Sequence, residues 1–239
     1  MHSNTYTFGF AAVITIVCSV LLAGAATLLK PRQVENEKLD KRKNVLLSAN
    51  IKPAHGGEFT RKDINDLYAE QIREKVIDLQ GELIEGVSPS QLDPKKDTDK
   101  LAVYQQKSGD EVIAYILPIS GKGLWSTIYG YLALETDMNT VKGITFYKHG
   151  ETPGLGGEIS KTLFTDPYAG KKIFDADGNL VSVMIAKGKA VGTPEELVHM
   201  VDGISGATLT CDGMNIFMKR DLEKYLPFLT KNKTEEGGE

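Results

Sequence analysis

The 239-residue chain has two cysteines, four histidines and a single tryptophan. Two thiols are too few for a self-contained iron–sulfur centre or a Cys-rich zinc site. Cys18 lies in an apolar segment, so a bridge to Cys211 is not expected, and cysteine usage leaves the redox compartment open. No His/Glu or Cys group has metal-ligand spacing. No G-x-x-x-x-G-K-[ST] run or Ser/His/Asp arrangement stands out either. Basic excess is also missing. The chain has 28 Lys and Arg against 32 Asp and Glu, which removes the electrostatic reason to expect nucleic acid. No repeat period is evident. Long apolar runs are absent with one exception.

That exception is residues 8–29, about 22 residues without a charge and long enough to span a bilayer as a helix. Ala23, Gly24, Ala25 and Ala26 would permit close helix–helix contact in a membrane. A cleaved signal peptide would need a basic n-region, yet no Lys or Arg precedes Phe8. A lipoprotein anchor would need a Cys directly after the small residues, and Cys18 comes too early. A retained transmembrane helix is therefore expected, with residues 1–7 as a short tail. Lys30, Arg32, Lys38, Lys41, Arg42 and Lys43 follow it, and the positive-inside rule would keep that flank in the cytoplasm. Residues 30–59 read as a juxtamembrane helix, lifting the main domain off the membrane, and a linker.

Residues 60–230 read as one α+β domain, a twisted, mainly antiparallel sheet flanked by helices. A helix is predicted from Thr60, capped with Asp63, with a stripe of Ile64, Leu67, Tyr68, Ile72, Lys75, Val76 and Leu79 and a stop at Gly81. Residues 89–100 read as a surface loop. Residues 112–119, 128–134, 141–148 and 180–186 are rich in β-branched or aromatic side chains and read as strands. Thr193, Pro194 and Glu196 open a short helix to residue 200. Leu209, Met214, Phe217, Met218, Leu222, Tyr225 and Leu226 recur at helical spacing. Residues 231–239 read as a disordered tail.

Three glycine-rich stretches carry the chemistry. Gly121-Lys122-Gly123-Leu124-Trp125 places an aromatic plane beside a turn, although a hairpin turn with a core Trp would look the same. Glu151-Thr152-Pro153-Gly154-Leu155-Gly156 follows His149 and suits a tight loop against a planar ligand, or simply a mobile loop. His149 itself reads as a polar surface residue at a strand end. Asp202-Gly203-Ile204-Ser205-Gly206-Ala207-Thr208 puts small residues and a hydroxyl at the mouth of the last helix. Its unpaired N–H groups and partial positive charge suit a phosphate. An ordinary Ser/Thr cap after a glycine turn fits that stretch equally well.

Taken in order, these stretches resemble the FMN-binding domain family over residues 87–226, and the last resembles its flavinylation motif. The resemblance implies FMN held covalently by a phosphoester to Thr208. Asp202, Ser205, Gly206 and Ala207 would surround the attachment, and Gly123, Leu124, Trp125, Glu151, Thr152, Pro153, Gly154, Leu155 and Gly156 would line the flavin. Residues 156–159 and the charged segment after the anchor are most similar to the branch that serves as the C-type component of Na⁺-translocating NADH:quinone oxidoreductases. The alternative branch is the G-type component of Rnf-type ferredoxin:NAD⁺ oxidoreductases. By that resemblance the chain is an electron-transfer subunit of a bacterial inner-membrane redox pump, relaying electrons towards ubiquinone and inactive alone. Its partners would be the other subunits and a flavin transferase that uses FAD and Mg²⁺. It would bind no NADH itself. The resemblance also implies a flavin domain on the periplasmic side, against the charge bias after the helix. A non-redox membrane-anchored scaffold or sensor domain would share the anchor and the sheet, but would not require the three motifs together.

Overall fold

The computed structural model describes residues 4–92 and 96–235. The chain forms two compact units, residues 1–40 and residues 41–239. Helix α1 runs from Asn4 to Ser48. Its apolar part is long and hydrophobic enough to cross a membrane, with a mean hydropathy of 2.4 and none of that stretch buried. Two hydroxyls within it are satisfied locally, Thr15 donating to the Ala11 carbonyl and Thr27 to that of Ala23, both at 2.8 Å. Such back-bonding removes the penalty of a bare hydroxyl in hydrocarbon.

In the second unit, helix α2 (Arg61–Gln71) opens at Thr60 through a reciprocal capping box with Asp63. It ends earlier than its sequence stripe suggests. Ile72 turns extended, and Ile72–Asp78 forms strand β1 instead of further helix. Its partner is β2 (Lys100–Ser108), with Val76 opposite Ala102 and Ile77 opposite Leu101. Ile72 and Val76 sit four residues apart, which suits a helix face, but β-branched Val76 and Ile77 fit a pleated surface at least as well. The ladder with β2 decides the matter. β3 (Glu111–Lys122), β4 (Thr127–Leu134) and β5 (Val141–Lys148) complete an antiparallel meander in sequential order.

Alternation divides the sheet into two buried faces. Leu117, Ile119, Leu132, Leu134, Ile144 and Phe146 belong to the main core. Their partners come from α5 (Thr208–Glu235): Met214, Phe217, Met218, Leu222 and Tyr225. Leu209, expected on that stripe, instead faces solvent. Fully burying one such large side chain contributes roughly 1.5–3 kcal/mol. Ala114, Ile116, Tyr131 and Ala133 point the other way and are also buried. Residues 41–48 and α2 bring buried Val45, Leu46, Ile64 and Tyr68 to this second unit. The Thr145 hydroxyl there donates to the Asn44 carbonyl, and Arg42 stacks over the Tyr68 ring.

The expected strand over residues 180–186 contracts to β6 (Met184–Ile185), outside the main sheet. Ser182 has a positive φ of 66°, which breaks the extended run, and the Val181 and Ser182 N–H groups both turn to the Ile173 carbonyl. β6 pairs in parallel with β7 (Met200–Val201). The short helix between them, α4, spans only Pro194–Leu197, and a single turn, α3 (Thr162–Thr165), precedes β6 in the chain. At the C-terminus α5 continues to Glu235, beyond residue 231 where disorder is expected from sequence. Lys231 pairs with Glu82 at 2.6 Å, and the Asn232 amide donates to the Phe228 carbonyl. Likewise, residues 4–7 are helical rather than a separate tail. The remainder of both tails, and residues 93–95 of the expected surface loop, lie outside the described residues.

Candidate functional site

The turn between β3 and β4 closes with the Gly123 N–H donating to the Ser126 carbonyl at 2.8 Å. This reversal aims three successive N–H groups at one point, the geometry of a backbone anion nest. The anion is the carboxylate of Glu151. Trp125 and Ser126 N–H donate to its Oε1 at 3.0 and 3.2 Å, and Leu124 N–H donates to Oε2 at 3.2 Å. The Leu124 and Trp125 side chains project outward, and the indole is 68% exposed.

Glu151 opens the second glycine-rich loop. The Thr152 carbonyl accepts from Leu155 and Gly157 N–H at 3.1 and 2.9 Å. Gly154 sits at the tip with φ of 76°, a left-handed conformation that suits glycine. Leu155 is 42% exposed. Gly156 is buried because nothing larger fits: a Cβ there would lie 2.6 Å from Thr210 Oγ1 and 3.1 Å from Glu151.

The third stretch arrives from β7. Asp202 accepts from the Ala190 N–H at 2.7 Å, so its carboxylate pins the 186–192 loop rather than capping α5. Gly203 is pressed against the same loop, where a Cβ would meet the Ala186 carbonyl at 2.1 Å. Ser205 and Gly206 turn the chain, Gly206 with φ of 74° and close to the Leu155 side chain. Ala207 is buried, and its carbonyl accepts the first helical bond from Cys211 N–H at 3.0 Å. Thr208 is therefore the first residue of α5 and is exposed. The cap position falls to an alanine, which has no side-chain acceptor for the first-turn N–H groups. Two residues, about half a helical turn, separate two threonine environments. Thr208 faces solvent, whereas Thr210 is 1% exposed and donates to Glu151 Oε2 at 2.7 Å.

The first two stretches, and the helix turn that follows the third, thus meet at the Glu151 carboxylate; Glu151 is 5% exposed. Burial pushes its pKa up. The Thr210 hydroxyl and the Trp125, Ser126 and Leu124 N–H groups outweigh burial and hold it below the ordinary carboxylate value. Glu151 is consequently an internal tie, while Trp125, Leu155, Leu209 and Thr208 supply the outward surface. A groove of about 380 Å³ adjoins it, lined by Lys122, Leu124, Leu209, Ile216 and Phe217 among others. His149 accepts from the Glu151 N–H through Nδ1 at 3.3 Å. Thr210 and Ser126 join the site without belonging to any motif that the sequence displays. Their signal is a single acid in a glycine-rich loop, which must find donors when buried.

Residues 123–223 match the FMN-binding domain family. The Na⁺-translocating NADH-quinone reductase component NqrC of Pseudomonas aeruginosa is 39% identical over 238 residues, covering 90% of this chain and 89% of that protein. The chain belongs to the NqrC family. The Vibrio campbellii member is 37% identical, covering 87% and 86% of the two chains. The crystal structure of the Parabacteroides distasonis member superposes with a TM-score of 0.74 at 33% identity, covering 84% of this chain and 97% of that one. Shewanella oneidensis NqrC gives 0.67 at 27% identity, covering 83% and 99%. Family membership decides for the C-type branch over the Rnf-type alternative.

Proposed function

We propose that the chain is the flavin-carrying electron-transfer subunit of a membrane Na⁺-translocating NADH:quinone reductase, with FMN joined to Thr208 Oγ1 by a phosphodiester. The observation that carries the proposal is the position of Thr208: an exposed hydroxyl on the first residue of α5, in a family of FMN-binding subunits.

The residues fit FMN. The helix end offers first-turn N–H groups to a phosphate, which the helix dipole favours by roughly 0.3–1 kcal/mol. That gain is small, so a covalent bond rather than electrostatics would retain the group. Trp125, Leu124, Leu155 and Leu209 expose apolar area suited to a ring system. Gly206 makes room for the Leu155 side chain, which a Cβ there would meet at 2.8 Å. Bound FMN would supply the redox chemistry, accepting electrons from one neighbour and passing them towards quinone. The protein's part is to hold Thr208 at the surface, to shape the apolar rim and to keep Glu151 ionised beneath it. A separate transferase would deliver FMN from FAD to the Thr208 oxygen, with AMP leaving. Asp202, exposed beside its loop contact, is accessible to that enzyme.

The apolar part of α1 would anchor the chain in the inner membrane among the partner subunits, with the domain on the periplasmic side. Reporter fusions after residue 29 test that orientation; a cytoplasmic readout would reverse it. A scaffold or sensor role would leave the exposed threonine and the family relationship unexplained. The decisive test is intact-protein and peptide mass spectrometry after expression with a flavin transferase. The expected result is one FMN less water on the Thr208 peptide. An unmodified peptide from colourless protein would overturn the assignment.

A further inference from the structure

We infer that Glu151 and Thr210 form a positioning clamp that presets the flavin-receiving surface and presents Thr208, rather than flavin ligands themselves. The inference rests on the flavin reading above for its consequence, but its geometry does not depend on it. Glu151 Oε1 accepts the Trp125 and Ser126 N–H groups, and Oε2 accepts Leu124 N–H and the Thr210 hydroxyl. Four donors on two elements therefore share one buried carboxylate. On one side lies the turn carrying the exposed indole; on the other lies the first turn of α5, two residues after Thr208. Gly123 and Gly156 close the space around it: a Cβ on Gly123 would come within 2.7 Å of Glu151 Oε1, and one on Gly156 within 2.6 Å of Thr210 Oγ1. Neither carboxylate oxygen is turned to the outer surface, because both are engaged inward.

The same contacts select between the two threonines. Thr210 is buried with its hydroxyl committed to Glu151, whereas Thr208 is open. A transferase acting on this segment meets one usable hydroxyl. The choice is made by the clamp as well as by the local motif.

The chemistry of substitution is specific. In Glu151→Gln the amide oxygen can still accept two N–H groups. Its NH₂ group then faces the Leu124 N–H as donor against donor, although the Thr210 hydroxyl can rotate to accept. Thr210→Val removes one donor at constant shape, and Thr210→Ser restores it.

The experiment uses the full chain in detergent. Flavin attachment is timed by mass spectrometry, and acrylamide quenching of Trp125, the sole tryptophan, is measured before flavin is added. Glu151→Gln and Thr210→Val should slow attachment at least about fivefold and alter quenching, with Thr210→Ser near wild type. Circular dichroism checks that each variant is folded. If both variants match wild type in rate and quenching, the clamp is refuted. If wild type never acquires flavin on Thr208, the flavin reading fails. The quenching series still decides the clamp in that case: a shift in Thr210→Val reversed by serine supports it, and no shift refutes it.

Discussion

Thr210 donates its hydroxyl to Glu151 Oε2 across 2.7 Å of space and 59 residues of sequence, joining the first turn of α5 to the glycine-rich loop after β5. This bond makes the site responsive to acid. The Glu151 pKa is held below the ordinary 4.5 in the folded protein. The ionised clamp is therefore fully in force above about pH 4.5, and its contribution is lost as pH falls through the lower folded value. Trp125 quenching should stay flat from neutrality to about pH 4.5 and change only below it, as pH falls through the folded value. In Glu151→Gln that acid step should disappear. A step of equal size in the variant would assign the transition to another group.

Thr208→Val should abolish covalent flavin while leaving the fold intact. The residue is exposed at the first position of α5, where substitutions change stability by about 0.5 kcal/mol or less. Thr208→Ser retains an attacking hydroxyl and should still be modified. Denaturing gels read for flavin fluorescence, alongside urea unfolding, test both. Flavin that stays with the valine variant through denaturation would move the attachment elsewhere.

The sequence is legible where the deciding interaction is local. The capping boxes at Thr60 and Thr193 lie within three residues of their partners and can be read directly. The meander β3 to β5 follows from apolar runs separated by short turns. β1 reads as helix because Ile72 and Val76 satisfy a helical spacing, and only pairing with Lys100–Ser108 makes them a strand. β6 reads too long because the left-handed backbone of Ser182 is dictated by the Ile173 carbonyl, not by serine. At the site, Thr208, Trp125 and the glycines are visible as motif residues. Their junction is hidden, since nothing within the loop says that Glu151 turns inward to three amides and a hydroxyl. Leu209 also follows the stripe on paper, yet the start of α5 rotates it into solvent.

Gly156 and Gly154 are two residues apart and should fail differently. Gly156→Ala brings a Cβ to 2.6 Å from Thr210 Oγ1, so either the hydroxyl or the loop must shift. Overpacking of this kind costs about 1–3 kcal/mol. Gly154→Ala meets open space, but φ of 76° imposes a left-handed strain of about 1–2 kcal/mol. Urea unfolding should register both losses, while Trp125 quenching should respond to Gly156→Ala alone. An unchanged quenching curve for Gly156→Ala would mean that the loop absorbs the methyl without disturbing Glu151.

Asn215 provides the last lever, because it substitutes for a missing strand. β6 pairs with β7 through Met184 and Ala186, whose N–H groups donate to the His199 and Val201 carbonyls. The Ile185 N–H and carbonyl point away from β7. The Asn215 side chain answers both, accepting from the N–H at 2.8 Å and donating to the carbonyl at 3.0 Å. Ile185 is buried, so Asn215→Ala leaves two backbone groups away from water and unpaired, at roughly 1–3 kcal/mol. Asn215→Asp keeps the acceptor but sets a carboxylate against the Ile185 carbonyl, and should be no more stable than the alanine variant. Because β7 delivers Asp202 to Ala207, flavin attachment should slow in both variants. Trp125 quenching should hold, since the amides on Glu151 are untouched. Loss of stability with normal attachment would show that Thr208 is positioned by α5 alone.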